Sequence, residues 1–320
     1  MIGRRPRLRA APTPRSRRPA RARPRGARDD GPLDPAPLDP VSPDLTLAAL
    51  GTQVRAQGRG AFAALREVRR LEAVLTRFRP SPLTELNARG ELRGPPEDLR
   101  LAVQHALDVA RRTRGLITPA VLDALEAAGY TAAPGDTPAR PAAPIPDLSA
   151  LEGVTVQDDL IRLPRGVRLD LGGTAKSWIA ARAARFLRGD SLLDAGGDLH
   201  LNFTRPGTLA VRTPPDAPPA FLNVGAGVSG VATSSVVARA WAGGHHLIDP
   251  RTARPAAAPW TQVTALTGRV TVAETLTKLA LLGADDLLRD LAPAGTQLLA
   301  FDHAGHAHHW QAGRWTRRAA

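Results

Sequence analysis

An α+β fold built on an antiparallel sheet with flanking helices is what three features of this 320-residue chain predict. Helical periodicity dominates the first half, short alternating stretches dominate the second, and those stretches are joined by hairpin-length connections. With 43% hydrophobic residues the chain can bury one large core or two modest ones without covalent staples. No internal repeat is present.

Leu45 to Gln57 reads as a strand pair around Gly51, and Phe62 to Phe78 as a helix carrying Leu65, Val68, Leu71 and Leu75 at helical spacing. Pro80, Ser81 and Pro82 end that helix, and Leu83 to Asn87 forms a short turn or helix. Pro95-Pro96-Glu97 opens a second long helix with Leu99, Val103, Ala106, Leu107 and Ala110 on its apolar face, closed by Gly115. Thr118-Pro119 starts a helix over Ala120 to Ala128, and Ala132 to Pro146, rich in Pro, Ala, Gly and Thr, reads as a surface loop or hinge. Strands are predicted at 154–156, 160–163, 191–193, 199–203, 209–211, 228–233, 262–266 and 297–301, and helices at 272–282 and 284–291.

The net charge of +13 invites a nucleic-acid reading, but residues 1–40, with eleven Arg and four Asp, hold +7 of it. That Pro/Arg-rich tail has almost no large apolar side chains and cannot offset its ordering entropy by burial. Residues 1–43 are therefore expected to be disordered and 44–320 to form the folded domain, beginning near Val41 or Leu45. The tail also lacks the interleaved aromatics that stack on bases, so a nucleic-acid partner is not expected. Its Arg pairs precede no apolar run of signal length, and no stretch nears the roughly eighteen apolar residues of a membrane span, so a cytoplasmic protein is expected. The absence of cysteine excludes disulfides, zinc–thiolate sites and thiol catalysis.

Chemistry concentrates in three patches. Asp170-Leu-Gly172-Gly173-Thr-Ala-Lys176 leads into an amphipathic stretch, with Lys176 in the opening turn of a helix, where free N–H groups and the dipole favour an anion such as phosphate. Ala195-Gly196-Gly197-Asp198 follows about twenty residues on. The loop is neither a Walker A motif nor a Gly-x-Gly-x-x-Gly fingerprint, and taken alone it reads more readily as a plain strand, turn and helix. The second patch, His245-His246-Leu-Ile248-Asp249-Pro250, sets His246, a side chain suited to proton transfer near neutral pH, beside a turn fixed by Asp249. In the third, Glu274 and Lys278 share one helix face, either as a solvated ion pair or with Glu274 facing the Gly172-Gly173 loop as an oxygen ligand for Mg²⁺.

In this order the patches DLGGTAKSWIAARAARFL, DAGGDL, ATSS, HHLIDPRTARP and AETLTKLALLG resemble the FAD:protein FMN transferase, or ApbE-like, family. Leu50-Gly51-Thr52, the helix 71–78 with Leu86-Asn87, and Gly115-Leu-Ile-Thr-Pro119 resemble its earlier signatures, so the likeness spans about residues 45–310. The resemblance implies a T-fold-related antiparallel core, FAD as substrate, and transfer of FMN to a threonine hydroxyl of an acceptor flavoprotein with release of AMP. An FAD hydrolase giving FMN and AMP, and a non-catalytic flavin-binding protein, are the alternatives.

Carried onto this chain, the resemblance makes His246 the base for the acceptor threonine. It places Asp170 and Lys176 on FAD, and Leu50, Phe78, Leu116, Ile117, Thr118 and Ile248 around the flavin and adenosine. It puts the Gly173 carbonyl and Glu274 on Mg²⁺. The chain departs where the family's helix supplies an aspartate and a threonine to the metal and this one supplies Glu274 and Lys278. A divalent ion about 4 Å from an ammonium is repelled by several kcal/mol at an effective dielectric of about 20. Lys278, oriented by Glu274, is therefore expected to replace part of the metal's charge. Phe78 stands for a stacking tyrosine, Thr118 for an aspartate, Ser235 for a glycine and Leu50 for a methionine.

Overall fold

The computed structural model describes residues 43–131, 149–215, 217, 219–238, 240–241 and 244–317. The expected disorder of the tail and the loop Ala132 to Pro146 lie outside the described residues, apart from residue 43 at the tail's end.

Nine strands form one sheet: Asp44–Ala49, Thr52–Arg59, Arg188–Asp194, Asp198–Phe203, Gly227–Ser235, Gln262–Thr267, Gln297–Phe301, Ala307–Gln311 and Arg314–Arg317. They lie side by side in chain order, and every neighbouring pair is antiparallel. The sheet is thus a meander into which helices and small hairpins are inserted, the α+β arrangement predicted.

Alternation divides the sheet into two faces. On one, Ala56 pairs with Leu193 and Ala232 with Ala265, and this face carries the helices α1 (Ala61–Leu75), α5 (Ala175–Ala183) and α6 (Val270–Leu281). On the other, Leu192 pairs with Leu201 and Val231 with Leu266, beneath Leu222 and Val224 of the hairpin Gly207–Val211/Ala220–Val224. Helix α1 buries Leu65, Val68, Leu71 and Leu75, as the period predicted, each contributing about 1.5–3 kcal/mol on leaving water. Helix α2 (Pro82–Arg89) starts with a capping box between Ser81 and Thr84. Helix α3 is Glu97–Arg112, α4 Leu122–Ala127 and α7 Asp285–Leu291.

One close approach fixes where α6 begins. A Cβ on Gly230, in the central strand, would lie 1.9 Å from Val270 N, so only glycine lets the start of α6 rest on the sheet. The expected helix to Phe78 is corrected: α1 stops at Leu75 because Thr76 is extended (φ −71°, ψ 142°), which frees Arg77 and Phe78 from the helix. The helix predicted from Ala120 begins at Leu122, because the Thr118 hydroxyl accepts the Ala120 N–H (3.2 Å) and holds a turn there. Strands Glu91–Arg93, Ala220–Val224, Ala307–Gln311 and Arg314–Arg317 were not predicted. The last two join through Ala312 (φ 49°) and Gly313 (φ 77°), a tight turn whose first residue carries no turn signature.

Candidate functional site

Lys176 lies in the first turn of α5, as predicted, and the loop before it is built by its own polar groups. Asp170, almost fully buried, donates its N–H to Pro119 O (2.8 Å), and its Oδ1 accepts the Gly172 N–H (2.7 Å). Asn87 of α2 holds the preceding residue on both sides, donating to Leu169 O and accepting from Leu169 N at 2.8 Å each. The Gly172-Gly173 pair does not serve left-handed backbone. Neither glycine has positive φ; a Cβ on Gly172 would meet Asp170 Oδ1 at 2.8 Å, and Gly173 faces open space.

The remaining carboxylate oxygen of Asp170 accepts from Arg77 Nε at 2.5 Å, and both side chains are under 10% exposed. Arg77 also donates to Tyr130 O (2.8 Å), and its guanidinium lies over the rings of Phe78 (4.4 Å) and Tyr130 (5.0 Å). Phe78 is half exposed and meets Tyr130 edge to face; Tyr130 stacks on Trp241 with planes 8° apart, and Trp241 Nε1 donates to Ala128 O. The ring of the half-buried His246 lies 6.4 Å from that of Tyr130.

Its neighbour His245 has a structural job. Nδ1 accepts the Leu247 N–H and Nε2 donates to Ala256 O, and burial lowers its pKa, so it is held as the neutral Nε2–H tautomer. Asp249 accepts the Arg251 N–H at 2.9 Å, the turn predicted for it.

On the far side of the loop, Lys176 Nζ donates to Asp198 Oδ2 (2.9 Å), and Asp198 is completely enclosed. Burial pushes the Asp198 carboxyl up, against the pull of Lys176. Lys278 Nζ lies 2.7 Å from Glu274 Oε1, in an ion contact rather than an aligned hydrogen bond, and Glu274 Oε2 accepts from Ser177 Oγ of α5. This pair is buried, not the solvated one offered as an alternative. Thr277 donates to Glu274 O and shares a hydrogen bond with Ser234 Oγ, each at 2.8 Å.

The expected site residues Asp170, Lys176, Glu274 and Lys278 thus converge on α5 and its loop, and Phe78 and His246 join them through Tyr130. The others are packing positions. Ile117 sits in the core beneath α6 with Leu116 beside it, and Ile248 packs on Ala124 and Leu125 of α4. Leu50 (φ 56°) tips the first hairpin, its N–H held by Glu72 Oε1. Sequence reasoning missed Arg77, Tyr130, Trp241 and Ser177.

The donor set does not fit a divalent ion. Both Glu274 oxygens already face donors, one of them a cation, and the hydroxyl of Thr277 is committed to Glu274 O and Ser234. Among the described residues no three His, Asp or Glu side chains converge as a metal cage.

Sheet and cluster together define a meander protein with a cluster of paired charges at the start of α5. Residues 49–298 match the sequence profile of the ApbE family, and the chain belongs to that family. Its fold is that of the ApbE protein of Thermotoga maritima (TM-score 0.72, 22% identity, covering 83% of this chain and 96% of that one). It is also similar to the flavin transferase ApbE of Vibrio cholerae (0.66, 18%, 87% and 97%) and the flavinyl transferase ApbE of Pseudomonas stutzeri (0.67, 15%, 88% and 96%). No curated protein matches the chain. No helix among the described residues is long and apolar enough to cross a membrane.

Proposed function

We propose that this protein is an FAD:protein FMN transferase acting on a threonine of an acceptor flavoprotein. The observation that carries the reading is the meeting, at the start of α5, of two buried lysine–carboxylate pairs with an aromatic ledge that leads to His246. Such an arrangement suits a ligand with an anionic centre and a flat aromatic end. The names of similar solved proteins, flavin and flavinyl transferases, support the same ligand.

In the proposed reaction the threonine Oγ attacks the phosphorus on the FMN side of the FAD diphosphate. The P–O bond to the AMP phosphate breaks, AMP leaves with that bridging oxygen, and the hydroxyl proton passes to His246. Lys176 and Lys278 hold charge at the diphosphate, Glu274 and Asp198 orient them, and the half-exposed Phe78, braced by Tyr130, offers its ring to the flavin or adenine. Leu50, Leu116, Ile117, Thr118 and Ile248 shape the pocket from behind.

Incubating the full chain with FAD and a threonine-containing acceptor tests this by protein-bound flavin and released AMP. Equal amounts of both are expected. Free FMN with AMP would make it a hydrolase, and intact bound FAD a carrier. His246→Ala should abolish transfer while FAD still binds; transfer that survives removes His246 from the role of base.

A further inference from the structure

The sequence has 41 arginines and only two lysines, Lys176 and Lys278, and both stand in this cluster against buried carboxylates. Arginine serves almost every other positive position in the chain. An ammonium differs from a guanidinium in being a compact point charge on an apolar stem, and so is the side chain nearest in form to a small cation. Lys278 is only 12% exposed, its charge lies 2.7 Å from Glu274 Oε1, and the Glu274 carboxylate is closed on its other side by Ser177. Thr277 turns its hydroxyl to Glu274 O and Ser234. One Glu274 oxygen therefore faces the ammonium, the other accepts from Ser177, and the Thr277 hydroxyl is held by Glu274 O and Ser234.

We infer that the Lys278 ammonium is the resident cation of this cluster, standing where a divalent metal would otherwise bind, so that the site works without one. The inference rests on the flavin-transfer reading for the ligand, but its cation claim stands on α5 and α6 alone. Glu274 acts as the positioning residue: it fixes the ammonium in place as it would fix a metal ion. Lys176, held by Asp198, supplies the second charge, so the ligand's diphosphate would meet two ammoniums rather than an ion and one lysine.

Mn²⁺ binding to the full chain, counted by electron paramagnetic resonance with and without FAD and with FAD alone as blank, tests this. Wild type should hold no Mn²⁺ above the blank in either arm. A folded Lys278→Thr should gain one site, its affinity raised at least about tenfold by removal of the repelling charge, and adding Glu274→Gln should remove it again. One Mn²⁺ per wild-type chain, or a folded Lys278→Thr chain with no gain, overturns the inference. As a second measurement that needs no variant, FAD affinity of wild type by flavin fluorescence should stay within about twofold when a chelator is added. A larger loss likewise overturns it. Failure to bind FAD at all would defeat the flavin reading alone, since the Mn²⁺ count without FAD still decides the cation claim.

Discussion

Two aspartates, each beside a glycine pair and each paired with a cation, lie near the start of α5, and they are built in opposite ways. Asp170 precedes Gly172-Gly173 and pairs with Arg77; Asp198 follows Gly196-Gly197 and pairs with Lys176. At Asp170 the glycines make room, with neither at positive φ, and the guanidinium spreads its donors to a backbone carbonyl and its faces to two rings. At Asp198 the glycines make the turn: Gly196 has φ 74° and Gly197 φ 98°, and a Cβ on Gly196 would enter the Thr52 side chain at 2.5 Å. Glycine pairs that look alike in sequence thus serve close approach of a carboxylate in one place and chain reversal in the other.

Breaking the arginine side should have the larger effect. Arg77→Met leaves the buried Asp170 carboxylate without its cation and should cost about 4 kcal/mol in urea unfolding, with FAD affinity falling too. The double variant Arg77→Met/Asp170→Asn should recover about 2 kcal/mol of that, and strict additivity would mean that the two residues do not act as a pair. Asp198→Ala should cost about 3 kcal/mol, less because Lys176 keeps 21% of its side-chain surface in water. An Asp198→Leu/Lys176→Met chain should regain most of it.

The glycine pairs sharpen the contrast. Gly196→Ala should destabilise by about 2 kcal/mol through left-handed strain and the Thr52 contact. Gly173→Ala, with open space and ordinary φ, should leave stability within about 0.5 kcal/mol. Equal losses at the two positions would erase the distinction.

The smallest effect is one of pH. Burial holds the folded-state pKa of His245 below its ordinary 6.5. Its contribution is therefore complete above pH 6.5 and is lost as pH falls through the depressed folded value. Protonated Nδ1 can no longer accept the Leu247 N–H, so the hairpin carrying Trp241 should loosen. The fluorescence change on acidification should have its midpoint below 6.5 and shrink in Trp241→Phe; a midpoint above 6.5 would contradict the burial argument.

Most of the framework was legible because local patterns agree with the packing they serve. The periods of α1 and α3 mark the faces they bury, and Lys176, Glu274 and Lys278 were found because turns and helix spacing frame them. Arg77 was not, because one arginine among 41 carries no signal and its partner is 93 residues away. Tyr130 and Trp241 lie beside polar, turn-rich segments, where no periodicity points to a stack between two such distant residues. The burial that turns Glu274–Lys278 from a surface pair into an enclosed one arises from α5 laying Ser177 against α6, a contact of 97 residues' separation.

The account stands most directly on whether Lys176 and Lys278 hold the ligand's diphosphate, and the scarcity of lysine makes that measurable. Amine acetylation of the full chain, mapped by peptide mass spectrometry, reports on these two side chains and the chain's amino terminus. Saturating FAD should slow labelling of both lysines at least about fivefold, while riboflavin, which lacks phosphate, should not. Labelling of Lys176 and Lys278 that FAD leaves unchanged would contradict the account.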